Sequence, residues 1–150
     1  MKTIIVDSET AMIDLGKKLG ANLLPGDLLF LFGDLGAGKT TLTKGIAQGL
    51  GIDEVVTSPT FQLKKTYIGE YTLNHLDLYR LRSLFELDII EPDELIEEGI
   101  TIVEWGKMLL DKLQTDYLEV KIELLESGSR QVILIPRGAR YQKLVAEIAI

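Results

Sequence analysis

Residues 33–40, Gly33-Asp34-Leu35-Gly36-Ala37-Gly38-Lys39-Thr40, fit the phosphate-loop pattern of Gly, four residues and then Gly-Lys-Thr, with no substitution. That pattern requires a strand before it and a helix after it, and both flanks comply. Leu28-Leu29-Phe30-Leu31-Phe32 is a continuous apolar run of strand length, which reads as a strand buried on both faces of a parallel sheet. Downstream, Leu42, Ile46 and Leu50 recur at helical spacing. Glycines let a loop wrap a phosphate, because they tolerate positive φ and carry no side chain. Free N–H groups of the first helical turn and the helix dipole then attract the anion. Lys39 is placed to reach the terminal phosphates, and the Thr40 hydroxyl to hold Mg2+.

The chain of 150 residues has the size of one domain, 1–150, and can bury a real core. Its net charge of −7 and pI near 4.8 disfavour a direct nucleic-acid track, because an acidic surface repels phosphate. Lys64-Lys65 and the Arg80/Arg82 pair are the short basic clusters near the candidate site, and they read as solvated or phosphate-facing side chains. The absence of cysteine excludes disulfides and thiolate metal sites and fits a reducing cytoplasm. The N-terminus does not read as a signal peptide, and no apolar stretch is long enough to span a membrane.

Along the chain, Lys2 to Val6 reads as a strand, and Ser8 caps a helix whose buried stripe is Met12, Leu15 and Leu19. Pro25-Gly26-Asp27 turns into the central strand, and Gly49 and Gly51 end the helix that follows the loop. Val55-Val56-Thr57-Ser58-Pro59-Thr60-Phe61 has two readings: a plain connection, or a loop whose hydroxyls sense a γ-phosphate. Phe61 to Tyr67 and Tyr71 to Asp77 form a hairpin around Ile68-Gly69-Glu70. In its second arm His75, Asp77 and Tyr79 share one face, with Leu76 and Leu78 on the other. A lone histidine is more often structural than catalytic, which favours Asp77 as the chemical group.

Ser83 starts a helical segment with Phe85, Leu87, Ile89 and Ile90 as its apolar members. Glu91 to Glu98 is acidic, either a solvated face or a partner-binding one, with Pro92 suited to a first turn. Ile100-Thr101-Ile102-Val103 is an apolar run that ends in the carboxylate of Glu104. In phosphate-loop proteins an acidic residue ending a neighbouring buried strand helps hold Mg2+, and Glu104 fits that role. Gly106 to Leu113 reads as a helix. Tyr117 to Leu125 and Gln131 to Ile135 read as a hairpin, with Leu118, Val120, Ile122 and Leu124 alternating, and Arg140 to Ile150 as a last helix. The expected fold is α/β: a phosphate-loop NTPase-like three-layer fold with a mixed, partly parallel central sheet and antiparallel hairpins.

Four motifs then carry a resemblance. Residues 33–41 (the loop and Thr41), Ser58-Pro59-Thr60-Phe61, His75-Leu76-Asp77-Leu78-Tyr79-Arg80-Leu81 and Ile102-Val103-Glu104-Trp105 stand in the order and spacing of the TsaE (YjeE) family. The match runs from about Ser8 to Trp105. These are small bacterial ATPases of tRNA threonylcarbamoyladenosine (t6A) synthesis. The resemblance implies a cytoplasmic ATPase using ATP and Mg2+ beside TsaB- and TsaD-like partners, which themselves transfer the threonylcarbamoyl group, with tRNA engaged indirectly. It implies nucleotide contacts from Thr10, Gly33, Asp34, Leu35, Gly36, Ala37, Gly38, Lys39, Thr40 and Thr41. Glu104 becomes a second Mg2+ contact after Thr40, and Asp77 a metal-side or water-orienting carboxylate.

The expected chemistry is in-line attack of water on the γ-phosphate, with Asp77, Ser58 or Thr60 positioning the water. Such sites without a stabilising arginine are slow by a factor of roughly 10³ or more, so Arg80, Arg82 or a partner would supply that charge. A GTPase would need a guanine-reading Asn-Lys-x-Asp, and Asn74-His75-Leu76-Asp77 lacks the lysine and follows the loop too closely. A small-molecule kinase would need an arginine-rich lid, and none is legible. A nucleotide-gated binding module, docking a partner through its acidic helices, is the non-enzymatic alternative.

Overall fold

The protein is described from a computed structural model covering residues 1–34, 36–59 and 63–148, with the backbone alone at Leu84. Chain order is β1 (Lys2–Val6), α1 (Glu9–Ala21), β2 (Leu28–Phe32), α2 (Lys39–Gly49), β3 (Lys64–Ile68), β4 (Thr72–Asp77) and α3 (Leu84–Ile89). Then follow α4 (Pro92–Glu98), β5 (Ile100–Glu104), α5 (Lys107–Lys112), β6 (Tyr117–Leu124), β7 (Arg130–Arg137) and α6 (Ala139–Glu147). The strands form one sheet in the order β1-β7-β6-β2-β5-β4-β3. Its centre, β6-β2-β5-β4, is parallel, and β1, β7 and β3 are added antiparallel at the edges.

The continuous apolar run of β2 is explained by two cores. Leu29 and Leu31 point into a cluster with Leu15 and Leu19 of α1, Leu42 and Ile46 of α2 and Leu144 of α6. Leu28 and Phe30, on the other face, join Leu87 of α3, Leu109 of α5 and, at the margin, Leu95 of α4. The result is the expected three-layer mixed α/β fold. Local signals act where they were read: the Ser8 side chain accepts from the Ala11 N–H, Ser83 caps α3, Pro92 opens α4, and Gly51 leaves α2 at φ 72°.

One device was not anticipated. Helices α1 and α2 cross on glycines, Gly16 and Gly20 against Gly45 and Gly49. A Cβ at Gly45 would stand 2.3 Å from the Ile13 carbonyl oxygen, and one at Gly20 2.3 Å from that of Ile46. Backbone therefore meets backbone, and α1 fixes the axis of the helix that begins with Lys39. Gly45→Ala should lower unfolding free energy by about 3 kcal/mol, the upper range for overpacking, in a denaturant titration. A change within error would mean the helices separate freely.

Some boundaries differ from expectation. β3 continues through Ile68, so the hairpin turn is Gly69-Glu70-Tyr71; Phe61, at the expected start of that arm, lies outside the described residues. The last helix ends at Glu147, with Ile148 already extended, and residues 149 and 150 lie outside the described range. Leu124 is 62 % exposed because β6 runs past the core. Phe85 and Ile89 face solvent while Leu87 is buried, since residues two apart cannot share a helix face. No helix among the described residues is long and apolar enough to cross a membrane.

Candidate active site

β2 delivers the loop at its carboxyl end. Gly33 is pressed against β6, where a Cβ would come within 2.7 Å of the Ile122 carbonyl oxygen. Gly36 and Gly38 have φ of 81° and 116°, conformations costly for any side chain. Gly38 is the N-cap of α2 and offers no side-chain cap, so the first-turn N–H groups remain available to an anion. Arg130 of β7, distant in sequence, donates from Nε to the Ala37 carbonyl (3.1 Å) and from a terminal nitrogen to that of Gly36 (3.2 Å).

Two carboxylates meet the loop from adjacent parallel strands. Asp77 ends β4 and Glu104 ends β5, directly opposite each other in register. They frame a cavity of 210 Å3 together with Gly36, Gly38, Lys39, Thr40 and Thr41 on one side and Ser58 and Trp105 on the other. Asp77 accepts from the Tyr79 N–H (3.1 Å) and the Ser58 hydroxyl (3.4 Å). Glu104 is 4 % exposed, and one of its oxygens contacts His75 Nε2 at 2.5 Å.

Lys39 is folded back. Its Nζ donates to the Gly33 carbonyl at 2.6 Å and sits 3.9 Å from the Trp105 ring centroid. Burial holds its pKa below the ordinary lysine range, opposed by the charges of Glu104, Asp77 and Asp34. Trp105 reaches this position through a left-handed φ of 55°, uncommon for a bulky residue, and Tyr79 packs on it at 4.9 Å between centroids.

Of the residues singled out from sequence, Gly36, Gly38, Lys39, Thr40, Thr41, Ser58, Asp77 and Glu104 converge on this cavity. Gly33, Asp34 and Ala37 face a wider groove of 680 Å3 on the β6 side of the loop. Thr10 is exposed in the first turn of α1, and its neighbours Glu9 and Met12, not Thr10, line a 350 Å3 cleft shared with Gly38, Thr41 and Arg130. Leu35 and Thr60 lie outside the described residues. Arg80 and Arg82 are exposed and are not among the residues lining the cavity, and Lys65 turns to the Thr57 hydroxyl. Tyr79 stands beyond the end of β4, so the shared strand face comprises His75 and Asp77.

Sequence reasoning passed over Arg130, whose contact with the loop spans 94 positions, and did not foresee that His75 meets Glu104. The second leaves no signal in the sequence, because it arises only where β4 and β5 lie side by side in parallel.

The donor set is oxygen only: two carboxylates and a threonine hydroxyl beside the glycine-rich loop. That suits a hard dication shared with a phosphate chain, which needs few protein carboxylates. Among the described residues there is no cluster of three or more His, Cys, Asp or Glu that would hold a metal unaided.

Comparison with known proteins places the chain in a family. The family model "Threonylcarbamoyl adenosine biosynthesis protein TsaE" matches residues 6–132. A Bacillus subtilis protein named tRNA threonylcarbamoyladenosine biosynthesis protein TsaE is 39 % identical over 137 residues, covering 90 % of this chain and 85 % of its own. A Nostoc protein of the same name is 39 % identical over 150 residues, covering 97 % and 91 %. The crystal structure of YdiB from Bacillus superposes with a TM-score of 0.85 at 34 % identity, covering 98 % of this chain and 93 % of the other.

Proposed function

Since the chain belongs to the TsaE family, we propose that it serves t6A modification of tRNA as a Mg2+-dependent ATPase. It does so in a complex with TsaB- and TsaD-like proteins. The observation that carries the reading is the cavity in which the start of α2 faces Asp77 and Glu104. A triphosphate carrying Mg2+ calls for that pairing, amide donors for the phosphates and acids for the metal, and a merely structural turn does not.

The loop amides and the Lys39 ammonium bind the β- and γ-phosphates and take up the charge that grows on their oxygens during transfer. The Thr40 hydroxyl and the Glu104 carboxylate would hold Mg2+, which when bound would further neutralise that charge. Asp77, with Ser58 hydrogen-bonded to it, orients water for in-line attack. The water oxygen bonds to the γ-phosphorus as the bond to the β–γ bridging oxygen breaks; that electron pair stays on the β-phosphate of ADP, and both water protons leave with the released phosphate as dihydrogen phosphate. With Arg80 and Arg82 outside the cavity lining, the stabilising arginine comes from a partner. The net charge of −7 leaves tRNA to be engaged indirectly, through those partners.

A second reading has its own support. Phe85 and Ile89 are 75 % and 68 % exposed on one face of α3, beside the acidic α4, which suits docking to a partner. Nucleotide binding would then gate that docking, and turnover would be incidental.

The test is ATP hydrolysis measured alone, with the two partners, and with partners and tRNA. Slow turnover by the isolated protein should rise by a factor of about 10³ or more in the complex. Equal rates with and without partners would refute the dependence. Transfer to a small-molecule acceptor in place of hydrolysis would mark a kinase.

A further inference from the structure

His75 is the chain's only histidine and is fully buried. Its Nε2 meets Glu104 Oε2 at 2.5 Å, while Nδ1 is buried without a hydrogen-bond partner among the described residues. With only a carboxylate to meet, and nothing at Nδ1, the imidazole N–H belongs on Nε2, where it donates to Glu104. A histidine kept only for packing gains nothing from leaving Nδ1 unpaired, and an apolar residue would fill the space without that cost.

We infer that His75 is a positioning residue: it pins one Glu104 oxygen so that the other is presented to the metal position in the cavity. The inference rests on reading Glu104 as a Mg2+ contact. Geometry supports it from three sides. His75 and Asp77 point to the same face of β4, and Glu104 lies opposite Asp77 on β5. Glu104 Oε1 accepts no hydrogen bond among the described residues, although Glu104 lines the cavity. Lys39 and its ammonium line the same cavity as Glu104. An untethered carboxylate would turn from the metal position toward that ammonium, silencing the metal contact. His75 holds the two apart. Partners that orient metal-binding carboxylates typically account for 10–100-fold in metal affinity.

The test uses the full chain and the fluorescence of Trp105, its only tryptophan, which lines the cavity. ADP is titrated in EDTA, and then Mg2+ is titrated at fixed ADP. His75→Leu and His75→Asn, which remove the donor from the Nε2 position, should raise the Mg2+ needed for half-saturation by about 10–100-fold. Both should leave metal-free ADP binding within about twofold. His75→Gln, whose amide reaches the same position, should restore the Mg2+ requirement to near wild type. A purely structural role would lower thermal stability without this metal-specific shift. Unchanged Mg2+ dependence in His75→Leu and His75→Asn would overturn the inference, and so would a His75→Gln variant as impaired as they are. Should His75→Leu fail to fold, the contrast between the Gln and Asn variants decides alone. Glu104→Gln separates the two levels. If it loses Mg2+ dependence while the histidine variants do not, only the positioning role fails. If it keeps wild-type dependence, the metal reading fails and takes the inference with it.

Discussion

Lys39→Ala is expected to reduce ATP hydrolysis by about 10³-fold or more, to the floor of a phosphate-release assay, while the protein stays folded. Its ammonium is the one cation among the residues framing the cavity. Removing a preorganised charge of this kind at a developing oxyanion costs on the order of 10²–10³ by itself, and the loss of ground-state binding adds to it. The fold should survive, because the group is held below its ordinary pKa by burial and its partners are one carbonyl and one ring face. Thermal unfolding near wild type with hydrolysis abolished is the expected pair of results. Retained hydrolysis would refute the assignment of the site.

The second large effect is at Asp77. Asp77→Asn keeps the size of the side chain and its acceptor for the Tyr79 N–H, and removes only the charge and one acceptor. Groups that direct the attacking water contribute about 10²–10⁴-fold, so kcat should fall by that order with ATP affinity within about threefold. The same variant separates hydrolysis from gated binding. If Asp77→Asn, hydrolysis-dead but binding ATP, still supports tRNA modification with its partners, turnover is dispensable and the binding-module reading prevails. Loss of modification in step with loss of hydrolysis makes the ATPase reading the operative one. Comparable loss of ATP binding would instead place Asp77 on the metal side of the site.

Much of this site is legible because its parts are contiguous or end a strand. The phosphate loop lies in one stretch, and its flanks reveal strand and helix through apolar period alone. Glu104 stands out as a carboxylate closing an apolar run, and the hydrophobic alternation of β6 and β7 gives the hairpin. What stays hidden depends on which elements lie side by side. The hydrogen bonds of Arg130 to Gly36 and Ala37 exist because β7 packs beside β6, which flanks β2. The pairing of His75 with Glu104 requires knowing that β4 and β5 are parallel neighbours in one register. Gly16, Gly20, Gly45 and Gly49 read as weak spots in two helices until those helices are seen to cross on them. Phe85 and Ile89 look like core residues because composition alone does not say which side of a short helix meets the sheet.

The central claim is that a triphosphate lies on the start of α2 with its Mg2+ shared between Thr40 and Glu104. A crystal structure with Mg2+ and a non-hydrolysable ATP analogue measures this directly. The expected result places the Thr40 hydroxyl and a Glu104 oxygen at about 2.0–2.1 Å from the metal, with Lys39 moved from the Gly33 carbonyl to the phosphates. A nucleotide seated in the groove on the β6 side of the loop, or a metal without Glu104 in its coordination sphere, would contradict it.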